Sequence, residues 1–232
     1  MAQSKKSAVK GTSAKTIPAE RTKPQSKGKK KETREKILAA ARHVFSSNPY
    51  HTASIRTIGK LAEIEHPLIS YYFPNKADLF ISVLKEASEM QNKLESEWLE
   101  KVKMMTPARG LSIFIDHALD FFRQYPEIFC ILALNLVQSD DGDPIPGYQI
   151  IQDTINATVK VFIEKVPMRV PEYEVEMFCR TFMNHLINFL GAAKFHASIM
   201  NLDPNSIQYM NWVKDSALYV FLPRMEKMVR RA

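Results

Sequence analysis

The segment EIEHPLISYYFPNKADLF, Glu63 to Phe80, restricts the fold more than any other stretch of the chain. Pro67 and Pro74 each fix φ and remove a backbone donor, so one continuous helix cannot run through it. Leu68 to Phe73, between them, is too short to hold helical form alone, because helices under roughly 12 residues are marginal in water. Neighbouring elements must pack around it. Tyr71 and Tyr72 would point about 100° apart on a helix, so both cannot be fully buried.

The flanking sequence supplies those elements. From Lys31, Ile37, Leu38, Ala41, Val44 and Phe45 recur at helical spacing. Glu32 and Glu35 lie in the first turn, where the helix dipole favours carboxylates, and Asn48-Pro49 ends the helix. Ser54 is the expected cap of a second helix, Ile55 to Ala62, with Ile55, Ile58, Leu61 and Ala62 inward and Ile64 plugging the turn. Pro67 suits the first turn of a third helix, Phe73-Pro74 ends it, and Asn75 caps a fourth. Two short helices joined by a tight turn and braced on both sides make a helix-turn-helix. Leu68, Ile69 and Phe73 are then expected inward, which frees Ser70 and one or both tyrosines to reach phosphates or base edges.

TREKILAAARHVF and SIRTIGKLAEIEHPLISYYFPNKADLF together resemble the DNA-binding region of the tetracycline-repressor (TetR) family of bacterial regulators over about residues 33 to 80. The most specific part is the Tyr-aromatic-Phe step followed by a turn residue, Asn, Lys and an apolar residue. The resemblance implies that Arg56 contacts phosphate or guanine. It places His66, Pro67, Leu68, Ser70 and Tyr72 at base-reading positions, Tyr71 in the groove or in packing, and Lys76 on a phosphate. Glu63 departs from the glycine common there and Ala53 from the usual Ser or Thr, and Glu63 is expected to sit in a turn without positive φ.

The body after residue 80 reads as long helices. One runs from Phe80 to about Met105, Pro107 opens a second, and Pro126 interrupts before an apolar stretch, Ile128 to Val137. SDDGDPIPG, Ser139 to Gly147, is expected to be a solvated loop, since it lacks the ligand spacing of a calcium loop. Ile150 to Val166, Val175 to about Met200, and a last helix from Asp203-Pro204 complete the series. The first of the last two is apolar around more than half its circumference and both are broad-faced, which fits the symmetric four-helix dimer interface that the resemblance implies. The resemblance also implies a pocket for a small effector in the middle helices. Phe114, His117, Phe121, Phe129, Phe182, His185 and Phe189 are its candidate lining, with no pattern naming the ligand.

Charge is unevenly placed. Residues 1 to 36 hold 12 Lys or Arg against 3 Glu, a balance of +9, so the net +7 leaves the remainder at 7 − 9 = −2. Residues 1 to 30 carry almost no large apolar side chain and are expected to be a disordered basic tail, either solubilising or adding phosphate contacts. No apolar run approaches the roughly 20 residues that span a bilayer, and no signal-peptide core is visible at the N-terminus. Two cysteines give no disulfide framework, which points to the cytoplasm. Seven glycines leave little room for a phosphate loop, and HExxH, GxSxG and Cys/His metal clusters are absent, so neither an enzyme nor a cofactor is expected.

The expected architecture is therefore all-α: the tail, a helix-turn-helix domain over 31–80, and a helical effector-binding and dimerisation domain over 81–232. The expected function is a homodimeric transcriptional regulator, read as a ligand-released repressor of a palindromic operator. The alternative is a helical ligand-binding or protein-interaction module whose tail gives only non-specific nucleic-acid affinity.

Overall fold

The computed structural model describes residues 24–136 and 145–229. The expected tail up to residue 23 and most of the acidic loop, 139–144, lie outside the described residues. Among those described, ten helices occur and no strand beyond an isolated bridge between Met168 and Val229. They are α1 (Pro24–Ser47), α2 (Ile55–Ala62), α3 (His66–Tyr72), α4 (Lys76–Val102), α5 (Pro107–Gln124), α6 (Pro126–Leu136), α7 (Tyr148–Lys165), α8 (Glu172–Gly191), α9 (Ala193–Ile199) and α10 (Ile207–Met228). The all-α class is as expected.

Local chemistry explains most of the boundaries. Asn75 caps α4, its Oδ1 accepting from Asp78 N–H at 2.8 Å. Pro107 and Pro126 each begin a helix, where a missing N–H costs little. α4 is one helix of 27 residues, joining the short fourth helix to the long one expected after Phe80. α1 begins at Pro24, seven residues before the apolar pattern does at Lys31, so the basic run precedes the core but continues its helix.

Two expected helices are shorter than the sequence suggests. The segment from Val175 breaks at Ala192. There the buried Tyr209 hydroxyl donates to Phe189 C=O at 2.6 Å, taking the carbonyl that a continuing helix would give to residue 193. The last helix starts at Ile207 rather than at Asp203-Pro204, because Asp203 folds a turn onto Asn205 and Ser206. Ser206 is the cap, accepting from Tyr209 N–H at 3.2 Å.

Two apolar cores result. The first gathers Ile37, Phe45, Ile58, Ile69, Phe73, Leu79 and Phe80 from α1 to α4, and it also takes in Ile131 of α6 and Ile145 and Ile151 at α7. The N-terminal core therefore does not close at residue 80. The second core packs α5, α8 and α10 with the far half of α4. α6 lies between the two, packed on α1 on one side and on α8 on the other. Its buried Asn135 accepts from the Tyr50 N–H at 3.0 Å and donates to Ile131 C=O at 2.7 Å.

Candidate functional site

α2 and α3 cross at close range because Gly59 has no side chain. A Cβ there would lie 2.8 Å from Ile64 O and 3.1 Å from Ile69 Cδ1. Ile58, Ile69 and Phe73 close the underside and are buried. Leu68 and Leu61 are not part of that closure: they are 44% and 50% exposed, which corrects their expected inward orientation. Each sits on the solvent side of a helix too short to bury more than one stripe.

The turn between the helices differs from expectation as well. Glu63 ends α2 with φ 57° and ψ 39°, the left-handed conformation that favours glycine. Its N–H reaches back to Lys60 O at 3.3 Å, as a helix C-cap requires. A side chain in this region costs about 1–2 kcal/mol. Glu63→Gly should therefore raise stability by about 0.5–1 kcal/mol, the relieved strain exceeding the added chain entropy. An unchanged or lower urea midpoint would contradict the strain.

Above the closure, Arg56 and His66 border one open hollow with Lys60, Glu63 and Glu65. Arg56, His66, Pro67, Leu68 and Tyr71 are exposed, while Ser70 and Tyr72 are half-buried. Tyr72 packs against the first core, and Tyr71, 65% exposed, is the freer of the pair. The two rings meet edge to face at 5.2 Å, so Tyr72 supports Tyr71. The Tyr71 hydroxyl also accepts from Lys30 Nζ at 3.1 Å. That lysine was not among the expected site residues, although the run KGKKK in the first turns of α1 marks it.

Lys76 has a task within the fold itself. Its ammonium donates to the carbonyls of Tyr50, His51 and Ala53 at 2.9, 3.1 and 3.2 Å and lies 4.6 Å from the Tyr50 ring centroid. An ammonium has three donors, and all three are spent on the α1–α2 turn. Lys76 is a clamp on that turn.

The expected effector residues divide into two sets. Phe114 and Phe182 line a cavity of ≈ 690 Å³, its open mouth included, between α4, α5, α7, α8 and α10. Phe114, Phe121 and Phe129 line a second of ≈ 440 Å³, which shares Phe114 and Met183 with the first. His117, His185 and Phe189 line neither, and each is engaged elsewhere. His117 stacks on Trp98 at 5.4 Å, and Phe189 packs on Trp212 and His196. The His185 ring lies 3.1 Å from Ser216 Oγ and 5.3 Å from Phe221, and burial lowers its pKa.

Cys179 on the first cavity's wall has its thiol pushed up to about 12 by burial, helped by Glu95, so it is a neutral wall group. No group of three or more His, Cys, Asp or Glu among the described residues is placed to hold a metal ion. No helix among them is long and apolar enough to cross a membrane.

A family model described as bacterial regulatory proteins, tetR family, matches residues 37–83, the span from α1 into α4 that builds this site. Residues 37–83 carry the DNA-binding region of the TetR family. Over 101 residues it is 34% identical to the HTH-type transcriptional repressor NicS of Pseudomonas putida, covering 44% of this chain and 47% of NicS. It is 24% identical over 133 residues to the HTH-type transcriptional regulator RutR of Escherichia coli, covering 56% of each. The chain thus matches about half the length of these relatives. Among solved structures, the regulatory protein TetR from Rhodobacter sphaeroides aligns with a TM-score of 0.61 at 14% identity, over 85% of this chain and 99% of that one. The transcriptional regulator FadR from Bacillus subtilis, in complex with stearoyl-CoA, aligns at 0.59 and 18%, over 81% and 97%. Those likenesses extend the TetR fold beyond residue 83 into the helical body.

Proposed function

We propose that this chain is a homodimeric, sequence-specific DNA-binding regulator of the TetR family that acts in the cytoplasm as a repressor and leaves a palindromic operator when a small molecule enters its helical body. The observation that carries the reading is the α2–α3 surface, where Arg56, His66, Pro67, Leu68 and Tyr71 project from a pair of helices whose undersides are fully closed. Nothing in packing calls for those side chains on one face, whereas a major groove would use them. Arg56 and His66 can donate to phosphate or purine edges, and Leu68 and Pro67 can touch a thymine methyl. Ser70 and Tyr72, being half-buried, are confined to contacts at the rim.

Support for a dimer comes from the far end. Tyr173, Met177, Phe195, Ile199, Trp212, Tyr219 and Val220 leave a run of large apolar side chains exposed on α8 to α10, Tyr219 at 85%. Such a set of exposed apolar side chains calls for a cover, and a second copy would supply the second α3 helix that a palindrome requires. FadR, which holds stearoyl-CoA in the same fold, supports a small-molecule effector within the body.

The test is selection of genomic fragments by the purified chain at about 0.15 M salt, with Arg56→Ala as control. A palindromic motif is expected, and Arg56→Ala should weaken its complex by about 1–2 kcal/mol, roughly tenfold. Enrichment without a motif, unchanged in the variant, would sink the proposal and favour the interaction module with non-specific affinity. The basic tail, proposed to add phosphate contacts, should steepen the salt dependence. Deleting residues 1–23 should reduce the slope of log K against log salt by about 0.9 for each phosphate the tail neutralises, and an unchanged slope would leave the tail a solubilising role.

A further inference from the structure

We propose that Glu95 is the polar recognition group of the ligand cavity, and that this cavity takes an apolar ligand bearing a nitrogen hydrogen-bond donor, above all a protonated amine. The inference rests on the effector reading above and specifies its chemistry.

Glu95 sits on α4, facing into the body at 4% exposure. It lines the second of the two cavities, ≈ 440 Å³ only with its open mouth included, beside Gln91, Trp98, Phe114 and Phe121. The Thr158 hydroxyl donates to one carboxyl oxygen at 2.6 Å, and the Gln91 amide to the other at 3.1 Å. A carboxylate offers about four acceptor positions, so two neutral donors leave capacity unused. Among the described residues no lysine, arginine or histidine pairs with it. Burial raises its pKa, with Thr158 and Gln91 opposing. A buried acid without a counter-charge is costly to keep, and Leu or Met would fill this place at lower cost.

The charges nearby favour a donor ligand over an anion. Lys103 lines the neighbouring cavity, but its ammonium is paired with Glu100, which also accepts from Lys165 at 2.8 Å. The two lysines hold the Glu100 carboxyl down to about 2, so that cluster is internally balanced. An entering carboxylate would find those cations engaged. An entering ammonium would find an acid with free lone pairs, walled by the Trp98, Phe114 and Phe121 rings, whose faces also attract cations.

The experiment uses the full chain and three matched probes: 4-phenylbutylamine, 4-phenylbutanol and 4-phenylbutyrate. Binding is read by calorimetry and by the fluorescence of Trp98 in the cavity wall. The amine should bind tightest, about tenfold or more over the carboxylate. Glu95→Gln keeps an acceptor for Thr158 and should lose the amine's advantage over the alcohol and the carboxylate. The proposal is overturned if no probe binds, if the carboxylate binds tightest, or if the amine's advantage survives in Glu95→Gln. Should that variant fail to fold, the ranking by the natural chain alone decides. Amine binding that leaves the DNA complex intact would uphold Glu95 as the recognition group and remove the effector reading instead.

Discussion

Phe80→Ala should destabilise the chain by about 3–5 kcal/mol, the usual cost of a fully buried aromatic with the cavity it leaves. Phe80 is completely buried, its ring 4.8 Å from Phe45 and 5.0 Å from Tyr50. The Tyr50 ring also lies under the Lys76 ammonium, so the loss reaches the turn that Lys76 clamps. DNA binding should fail with it, because α2 and α3 rest on this same core. Phe80→Leu keeps most of the volume and should cost under about 1.5 kcal/mol. Urea denaturation separates the two variants. For the alanine variant, a loss below about 1.5 kcal/mol would mean that neighbouring side chains collapse into the space and that the core is not rigid.

Gly191→Ala is a sharper case, because two principles disagree on its sign. Gly191 is the last residue of a 20-residue helix, and helix propensity favours alanine over glycine there by up to about 1 kcal/mol. Packing opposes it. A Cβ at this position would stand 2.4 Å from Phe129 O and 2.5 Å from Ala133 Cβ. Both belong to α6, and a backbone oxygen cannot swing aside as a side chain can. Overpacking costs typically about 1–3 kcal/mol and here stands at or above the upper end, so a net loss of about 2 kcal/mol is expected. Adding Ala133→Gly should return part of it, since one of the two collisions then disappears. A neutral or stabilising Gly191→Ala would show that α6 and α8 slide apart freely.

Those two positions illustrate what sequence alone conveyed. The helices were legible because apolar residues recur every three or four positions, and the helix-turn-helix because two prolines forced a short helix to lean on its neighbours. Features that depend on a partner distant in sequence were not legible. The break at Ala192 needs the Tyr209 hydroxyl, 20 residues on from the carbonyl it takes. Lys76 sits where the family resemblance places a phosphate ligand, and nothing local reveals that three carbonyls of the α1–α2 turn claim it first. Glu95 stands in a helix with Glu89, Glu97 and Glu100, and only its packing separates it from those three. His117 and His185 each lie beside an apolar stripe, and the sequence could not reveal that one stacks on Trp98 and the other meets Ser216.

The hydrogen bond from Tyr50 N–H to Asn135 links the two halves of the proposed function. Asn135 lies one turn beyond Ile131 and Leu132, and Leu132 lines the Glu95 cavity. A ligand that shifts α6 must then carry Asn135 with it and bias the turn from which α2 departs. Thermodynamic linkage makes that bias reciprocal: the factor by which ligand weakens DNA equals the factor by which DNA weakens ligand. The two titrations, run in opposite directions, report a single free energy. Severing the bond with Asn135→Leu should shrink both factors together, while each partner, measured alone, keeps its own affinity.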